Sequence, residues 1–246
     1  MILAVLFLAG LWAGAQNALA GGGSFITLAA LILAGVDPRA ANITSAVALF
    51  PAQVASGVAG RNLLAPSPGL RFRWLVAISL VGGVMGAWLL LATPSAVFAR
   101  MVPWLVLTAT GLFTLGAVVR PKPGASPRIA PFAMGALQFA IAVYGGYFGG
   151  GIGFLMMALL ALAGYAVRSG SATKNILAAV MNASAVAIFV LSPEVRWLEA
   201  AAVGLGAVIG GVAGVYLLRR APDTLLRALV ILIGLVLTVA LFVRQS

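Results

Sequence analysis

The chain has 246 residues, 63% of them hydrophobic and only 8% charged, with a net charge of +11 and neither Cys nor His. Soluble domains carry about 25% charged residues, so this composition excludes an ordinary globular domain, and the missing thiols and imidazoles exclude disulfides, Cys/His metal sites and His-based catalysis. The 15 basic residues are spread through the loops between apolar runs, where the positive-inside rule accounts for them without a nucleic acid.

Apolar runs recur from end to end, and runs this long read as membrane spans. In the first half they cover residues 2–20, 22–35, 42–59, 74–92 and 102–119, and in the second 132–148, 151–165, 173–191, 197–218 and 224–243. The opening run ends in Ala18-Leu19-Ala20 and resembles a cleaved signal, but it has no basic lead. The repeat described next also runs through the cleavage point, so it is read as part of the fold.

Shifting the chain by 129 lays 22–39 over 151–168, with Phe25 on Phe154, Gly35 on Gly164, Arg39 on Arg168 and Thr44 on Thr173. A shift of 128 lays 81–94 over 209–222, with seven of fourteen residues identical. The chain is therefore read as a tandem duplication: a first transmembrane repeat over 1–119, a linker loop over 120–131 and a second repeat over 132–246. Gly82, Gly83 and Gly86, with Gly210, Gly211 and Gly214, have no polar neighbours and read as helix-packing glycines.

Each half carries a glycine cluster near its start, "AQNALAGGGS" (15–24) and "YGGYFGGGIG" (144–153). A single helix over 2–35 would be about 50 Å long, against roughly 30 Å of hydrocarbon, so a chain that folds back at the glycines fits better. Folding back also places eleven basic residues on one face: Arg61, Arg71, Arg73, Arg120, Lys122, Arg128, Arg168, Lys174, Arg219, Arg220 and Arg227. Arg39, Arg100, Arg196 and Arg244 remain on the other. The expected fold is an all-α polytopic membrane protein of two inverted repeats. Each repeat has a Gly-broken re-entrant or interrupted helix pair plus three spans, with both termini outside and the 120–131 loop in the cytoplasm.

Breaks inside a bilayer free backbone groups that lipid cannot satisfy, so they mark a pathway. Gly22, Gly23, Gly149, Gly150 and Gly151, with Asn17, Ser24, Tyr144 and Tyr147 beside them, therefore become candidate substrate contacts at positive helix ends, which suit an anion. The helix after each break supplies a polar face, Asn42, Ser45, Gln53 and Ser56 in one copy and Ser171, Lys174, Asn175 and Asn182 in the other, with the repeat pair Thr44 and Thr173 as further candidate contacts. Lys174 either neutralises the anion or snorkels to the cytoplasmic surface. Arg39 and Arg168 are repeat partners, and read either as paired gates or as interfacial anchors. Pro51 is either a hinge or a plain kink.

The tandem halves, "YGGYFGGGIG" followed by "SATKNILAAVMNASA" (171–185), and "NALAGGGSFITLAAL" with "ANITSAVA" resemble the TauE/SafE family of bacterial sulfite and organosulfonate exporters, over essentially the whole chain. The resemblance implies inner-membrane transport of small sulfur oxyanions or sulfonates such as sulfoacetate, mostly outward. An anion channel of the same architecture is the alternative reading. The four acids, Asp37, Glu194, Glu199 and Asp223, all fall in loops or at span ends, so no catalytic set or carboxylate proton relay is expected. No cofactor or metal is expected. The expected partners are a small anionic substrate and membrane lipid, without nucleic acid; a homodimer is compatible with the sequence.

Overall fold

The structure is a computed structural model that describes residues 1–19, 22–67, 69–118, 129–217 and 223–245. Over these it is all-helical: α1 (Ile2–Leu19), α2 (Gly23–Leu33), α3 (Pro38–Gly60), α4 (Phe72–Ala92), α5 (Ser95–Val118), α6 (Pro131–Tyr147), α7 (Ile152–Leu162), α8 (Val167–Phe189), α9 (Trp197–Leu217) and α10 (Asp223–Gln245). Each apolar run expected from sequence is thus a helix. Most of the linker loop, 119–128, and residues 218–222 lie outside the described residues.

Three helices begin four or more residues before their apolar runs do. At α3 the Asp37 carboxylate accepts the Arg39 N–H at 3.0 Å and the Ala40 N–H at 3.4 Å, with Pro38 at the first helical position. That is a start signal independent of hydrophobicity. At α5 the start moves to Ser95, which brings Arg100 inside the helix, and at α8 it moves to Val167. The last shift places Lys174 about 10 Å along α8 at 1.5 Å per residue, not at its head.

The breaks are built from left-handed glycines. Gly22 (φ 84°) caps α2 and Gly151 (φ 76°) caps α7, a backbone that an L-residue with a Cβ rarely adopts. α2 and α7 have 11 residues each, about 17 Å, too short to cross a bilayer. Both end alike. The Val36 N–H reaches the Leu31 carbonyl and the Gly35 N–H that of Ile32; Tyr165 and Gly164 repeat the pattern on Leu160 and Ala161. These are Schellman turns, which reverse the chain at Gly35 (φ 88°) and Gly164 (φ 90°).

Directions follow from the packing. α1 lies along α9 by glycine: a methyl group on Gly10 or Gly14 would collide with the Val203 or Ala207 carbonyl, and one on Gly206 or Gly210 with Phe7 or Leu11. Numbers rise together, so α1 and α9 are parallel. α6 lies along α4 in the same sense, through Gly82 against Ala142 and Gly86 against Val143, with Gly146 pressed on Gly83. α3 is parallel to α9, through Thr44 with Arg196 and Ala48 with Gly204. α2, returning into α3 through its turn, therefore runs opposite to α1. By contrast α3 and α8 are antiparallel, Gln53 meeting Asn182 and Gly57 meeting Ala179. So are α5 and α10, with Trp104 on Phe242 and Thr110 on Gly234. Of the glycines read as packing residues, Gly82, Gly83, Gly86 and Gly210 make such contacts; Gly10 and Gly14 were not foreseen, although their four-residue spacing is the small-xxx-small signal.

The core centres on Phe25, Phe98 and Phe189, while Val81, Trp88, Trp104, Leu205, Val212 and Val239 point outward and exposed. An apolar outer face of this extent is a surface for lipid. Phe72–Ala92 and Ser169–Phe189 are long and apolar enough to cross a bilayer, with mean hydropathy 2.2 and 1.4. Trp74 and Trp197 stand exposed in the first turns of α4 and α9, where interfacial aromatics sit.

Glycine packing is directly testable. Gly10→Ala should destabilise the detergent-solubilised protein by about 1–3 kcal/mol, the usual cost of overpacking. Gly111, with open space where a Cβ would stand, should gain about 0.5–1 kcal/mol as Gly111→Ala. Thermal melting of the two variants reads the opposite signs.

Candidate functional site

The two broken helix pairs and the polar faces of α3 and α8 converge. A cavity of about 70 Å³ is lined by the caps Gly22 and Gly151, by Gly149, Asn17 and Ser24, and by Gln53, Lys174 and Asn175. A second, of about 30 Å³, shares Ser24, Gln53 and Gly149 and adds Asn42, Ser45 and Asn182. A water needs roughly 10–15 Å³ measured this way, so the first cavity has room for a small polyatomic ion or a few waters.

Asn182 donates its side-chain amide to the Gln53 side-chain oxygen. These two are repeat counterparts at the 129 shift, so the bond stands where the two halves meet. The breaks differ in how their freed donors are satisfied. In the first, the Gly23 N–H donates to Asn17 Oδ1 at 2.8 Å. In the second, the residue at the matching position is Gly146, whose missing side chain lets α6 press on the Gly83 carbonyl. The cap residue of α7, Gly151, has no side chain with which to bond the first turn. The matched residues of α3 and α8 differ as well. The Ser45 hydroxyl turns to Thr27 at 2.6 Å, while its counterpart Lys174 brings Nζ within 3.9 Å of where a Gly153 Cβ would be. The Lys174 ammonium lines the larger cavity and makes no hydrogen bond or ion pair among the described residues.

Eleven of the residues expected from sequence therefore line the two cavities: Asn17, Gly22, Ser24, Asn42, Ser45, Gln53, Gly149, Gly151, Lys174, Asn175 and Asn182. The others stand elsewhere. Gly23 backs onto the Ala13 carbonyl, and Gly150 is crowded by the Phe148 and Phe25 rings. Tyr144 donates its hydroxyl to the Gly150 carbonyl at 3.0 Å, bracing the turn. Tyr147 points its hydroxyl toward Thr93 Oγ1 at 3.5 Å and packs edge-on to Phe98, while its carbonyl accepts from Asn42 at 3.1 Å. Thr44 accepts the Arg196 N–H, and the Thr173 hydroxyl is buried without a hydrogen-bond partner among the described residues. Arg39 pairs with Glu194. The Arg168 side chain lies outside the described residues.

The small lining residues Gly14, Ala52, Gly153 and Ala178 were not singled out from sequence. Gly153 ends the glycine cluster itself, so the signal was present; Gly14 and Ala52 look like any apolar-helix residue. Pro51 lies within a continuous α3.

The Asn17 cap is separable from the cavity. Asn17→Ala leaves a buried amide unpaired and should cost about 1–3 kcal/mol of stability, whereas Asn17→Asp keeps the acceptor at a positive helix end and should melt at or above the parent temperature.

The chain also matches known proteins. The family model described as "Sulfite exporter TauE/SafE" matches residues 6–241. A "Probable membrane transporter protein" of Haemophilus influenzae is 26% identical over all of this chain and 96% of its own length. "Probable membrane transporter protein ORF9" of Sinorhizobium sp is 28% identical over 98% of this chain and 92% of its own, and the Escherichia coli K12 "Probable membrane transporter protein YfcA" is 26% identical over 98% and 90%. A family match running through both broken helix pairs, together with relatives of the same length, places the chain in the TauE/SafE family of membrane transporters.

Proposed function

We propose that the chain is a secondary transporter that exports small sulfur-containing anions, sulfite, sulfoacetate and other organosulfonates among them, by alternating access between two inverted halves. The inverted relation is supported by direction: α3 and α8, and α5 and α10, are repeat counterparts that run antiparallel, as an axis in the membrane plane requires. The α1–α2 and α6–α7 pairs are re-entrant hairpins in this reading, whose tips meet near the midplane. With ten basic residues on one face once Lys174 is assigned to the cavity, the 120–131 loop is cytoplasmic and both termini are periplasmic, across a bacterial inner membrane.

The observation that carries the anion preference is the Lys174 ammonium, unpaired among the described residues, facing a small cavity between the capping glycines of two short helices. A cation in low dielectric demands a counter-charge, and helix N-termini supply further donors to the same guest. No second lysine or arginine lines this cavity among the described residues, which suits a small anion of low charge. Alternating access uses the α3–α8 contact as its pivot, since only counterparts on the symmetry axis remain neighbours in both states.

The acids stand at helix ends or in loops, so export driven by the inside-negative potential needs no relay: one charge is worth about 2.3 kcal/mol per 100 mV. In proteoliposomes given sulfite, sulfonates, sulfate or acetate, flux of sulfite or a sulfonate should saturate, show counterflow and follow an imposed potential. Lys174→Gln should lower it roughly ten- to hundredfold, the worth of one charged hydrogen bond. Unitary currents would identify a channel instead, and flux that follows only a pH gradient would overturn the potential-driven mechanism.

A further inference from the structure

Arg39 opens α3, next to the cap that starts the helix. Its guanidinium holds the Glu194 carboxylate by two bonds, Nε to Oε2 at 2.9 Å and Nη2 to Oε1. It also donates to the Leu91 and Thr93 carbonyls at the end of α4. Those carbonyls are helix-end acceptors at a negative dipole end, so one cation satisfies three elements at once. The pair is mostly shielded, its side chains 16% and 24% exposed. Arg39 and the α4 end belong to the first half, and Glu194, in the α8–α9 connection, to the second. Just inside this pair, Thr44 Oγ1 accepts the Arg196 N–H at 3.1 Å, a second bond between halves at the same end. The smaller cavity, with Asn42, Ser45 and Ala46 on its wall, lies next along α3.

The other end of the same helix pair is built differently. Thr173 is the repeat counterpart of Thr44; it is 1% exposed, yet its hydroxyl has no partner among the described residues. Under the repeat, the backbone donor that serves Thr44 from the α8–α9 connection would come to Thr173 from the α3–α4 connection. That connection, residues 61–71, contains two arginines and no carboxylate, so nothing equivalent to Glu194 stands there. The larger cavity, with Lys174, lies toward this end.

We propose that the Arg39–Glu194 pair, backed by Thr44 and Arg196, is a latch that holds the outer end of the carrier shut, and that the unpartnered Thr173 hydroxyl is the matching bond, unmade while the inner end is free. The inference rests on the alternating-access reading above and adds a resting state to it. One end closes with an ion pair, and the α3–α4 connection at the other supplies no carboxylate for one, so the empty carrier waits with its inner end available and loads from the cytoplasm. Outward opening breaks the ion pair and the Thr44 bond and makes the Thr173 bond. The two threonines, equivalent by repeat, then favour opposite states: removing the Thr44 hydroxyl weakens the closed outer end, and removing the Thr173 hydroxyl relieves an unpaired buried group only in the inner-open state.

The chain has no cysteine, so Ala46→Cys on the wall of the smaller cavity gives a single reporter. Its rate of modification by a membrane-impermeant methanethiosulfonate, added outside intact cells, measures outer opening. With the latch intact the reporter should be protected. Glu194→Gln should raise the rate by about tenfold, and Thr44→Val should raise it also, whereas Thr173→Val should lower it or leave it at the parent level. The exchanged pair Arg39→Glu with Glu194→Arg, which restores attraction without the carbonyl contacts, should bring the rate back toward the parent value. Parental labelling in both Glu194→Gln and Thr44→Val would overturn the latch, as would a rise in Thr173→Val equal to that in Thr44→Val. Labelling needs no substrate. Latch-dependent labelling in a protein that moves no sulfite would therefore sink the substrate reading alone, and latch-independent labelling with intact sulfite flux would sink the latch alone.

Discussion

A backbone amide that leaves its helix inside hydrocarbon has no water to replace the lost partner, and in the re-entrant reading this chain leaves its helices twice at that depth. Left-handed glycines at positions 22 and 151 make the two departures sterically free, but they do nothing for the polar groups they release. The rest of the architecture covers those groups. α9 and α4 lie so close on α1 and α6 that only glycine fits at Gly10, Gly14, Gly206 and Gly210, and at Gly82, Gly86 and Gly146. The short helices fold back beneath α3 and α8, whose amide side chains close the centre. What lipid cannot satisfy ends up facing a small polar cavity, so the structural constraint and the site have one origin.

The two halves matched by the 128–129 shift hold two versions of that solution, and their residues differ. At the breaks, Asn17 of α1 accepts the first N–H of α2, while its counterpart Gly146 has no side chain and lets α6 press on α4. On the following helices, Ser45 bonds internally to Thr27, and the residue in its place in the second copy is the cavity's only lysine. At the helix starts, Thr44 is bonded across the halves and Thr173 is not. In each pair the first-half residue is hydrogen-bonded, and its second-half counterpart makes no such side-chain bond among the described residues. A carrier with exact two-fold symmetry would have two equivalent states; in the proposed alternating-access cycle these differences favour one of them.

Much of this was legible in the residues. Ten apolar runs became ten helices among the described residues, and the glycine clusters fell on the breaks, because hydrophobic length and glycine's freedom at positive φ act locally. Boundaries slipped where a polar start was hidden from hydropathy, as with Asp37 and Pro38 before α3. Arg39 drew attention as a charge at a span end, but its partner Glu194 is 155 residues away. Tyr144 and Tyr147 were singled out as polar groups beside a break, and both turn their hydroxyls away from the cavity, one to brace the turn and one to the far end of α4.

The sequence by itself determined the helical membrane class and the places where helices break, since each depends on residues near one another in the chain. Only the tertiary structure decided which candidates share a cavity, which glycines are packing surfaces and which of two matched residues is already bonded. Those outcomes depend on distances between helices far apart in the chain, set by backbone contacts at glycine and by single partners such as Asn17 and Glu194. Two copies with nearly the same local pattern differ there because a polar group's role follows from what reaches it first.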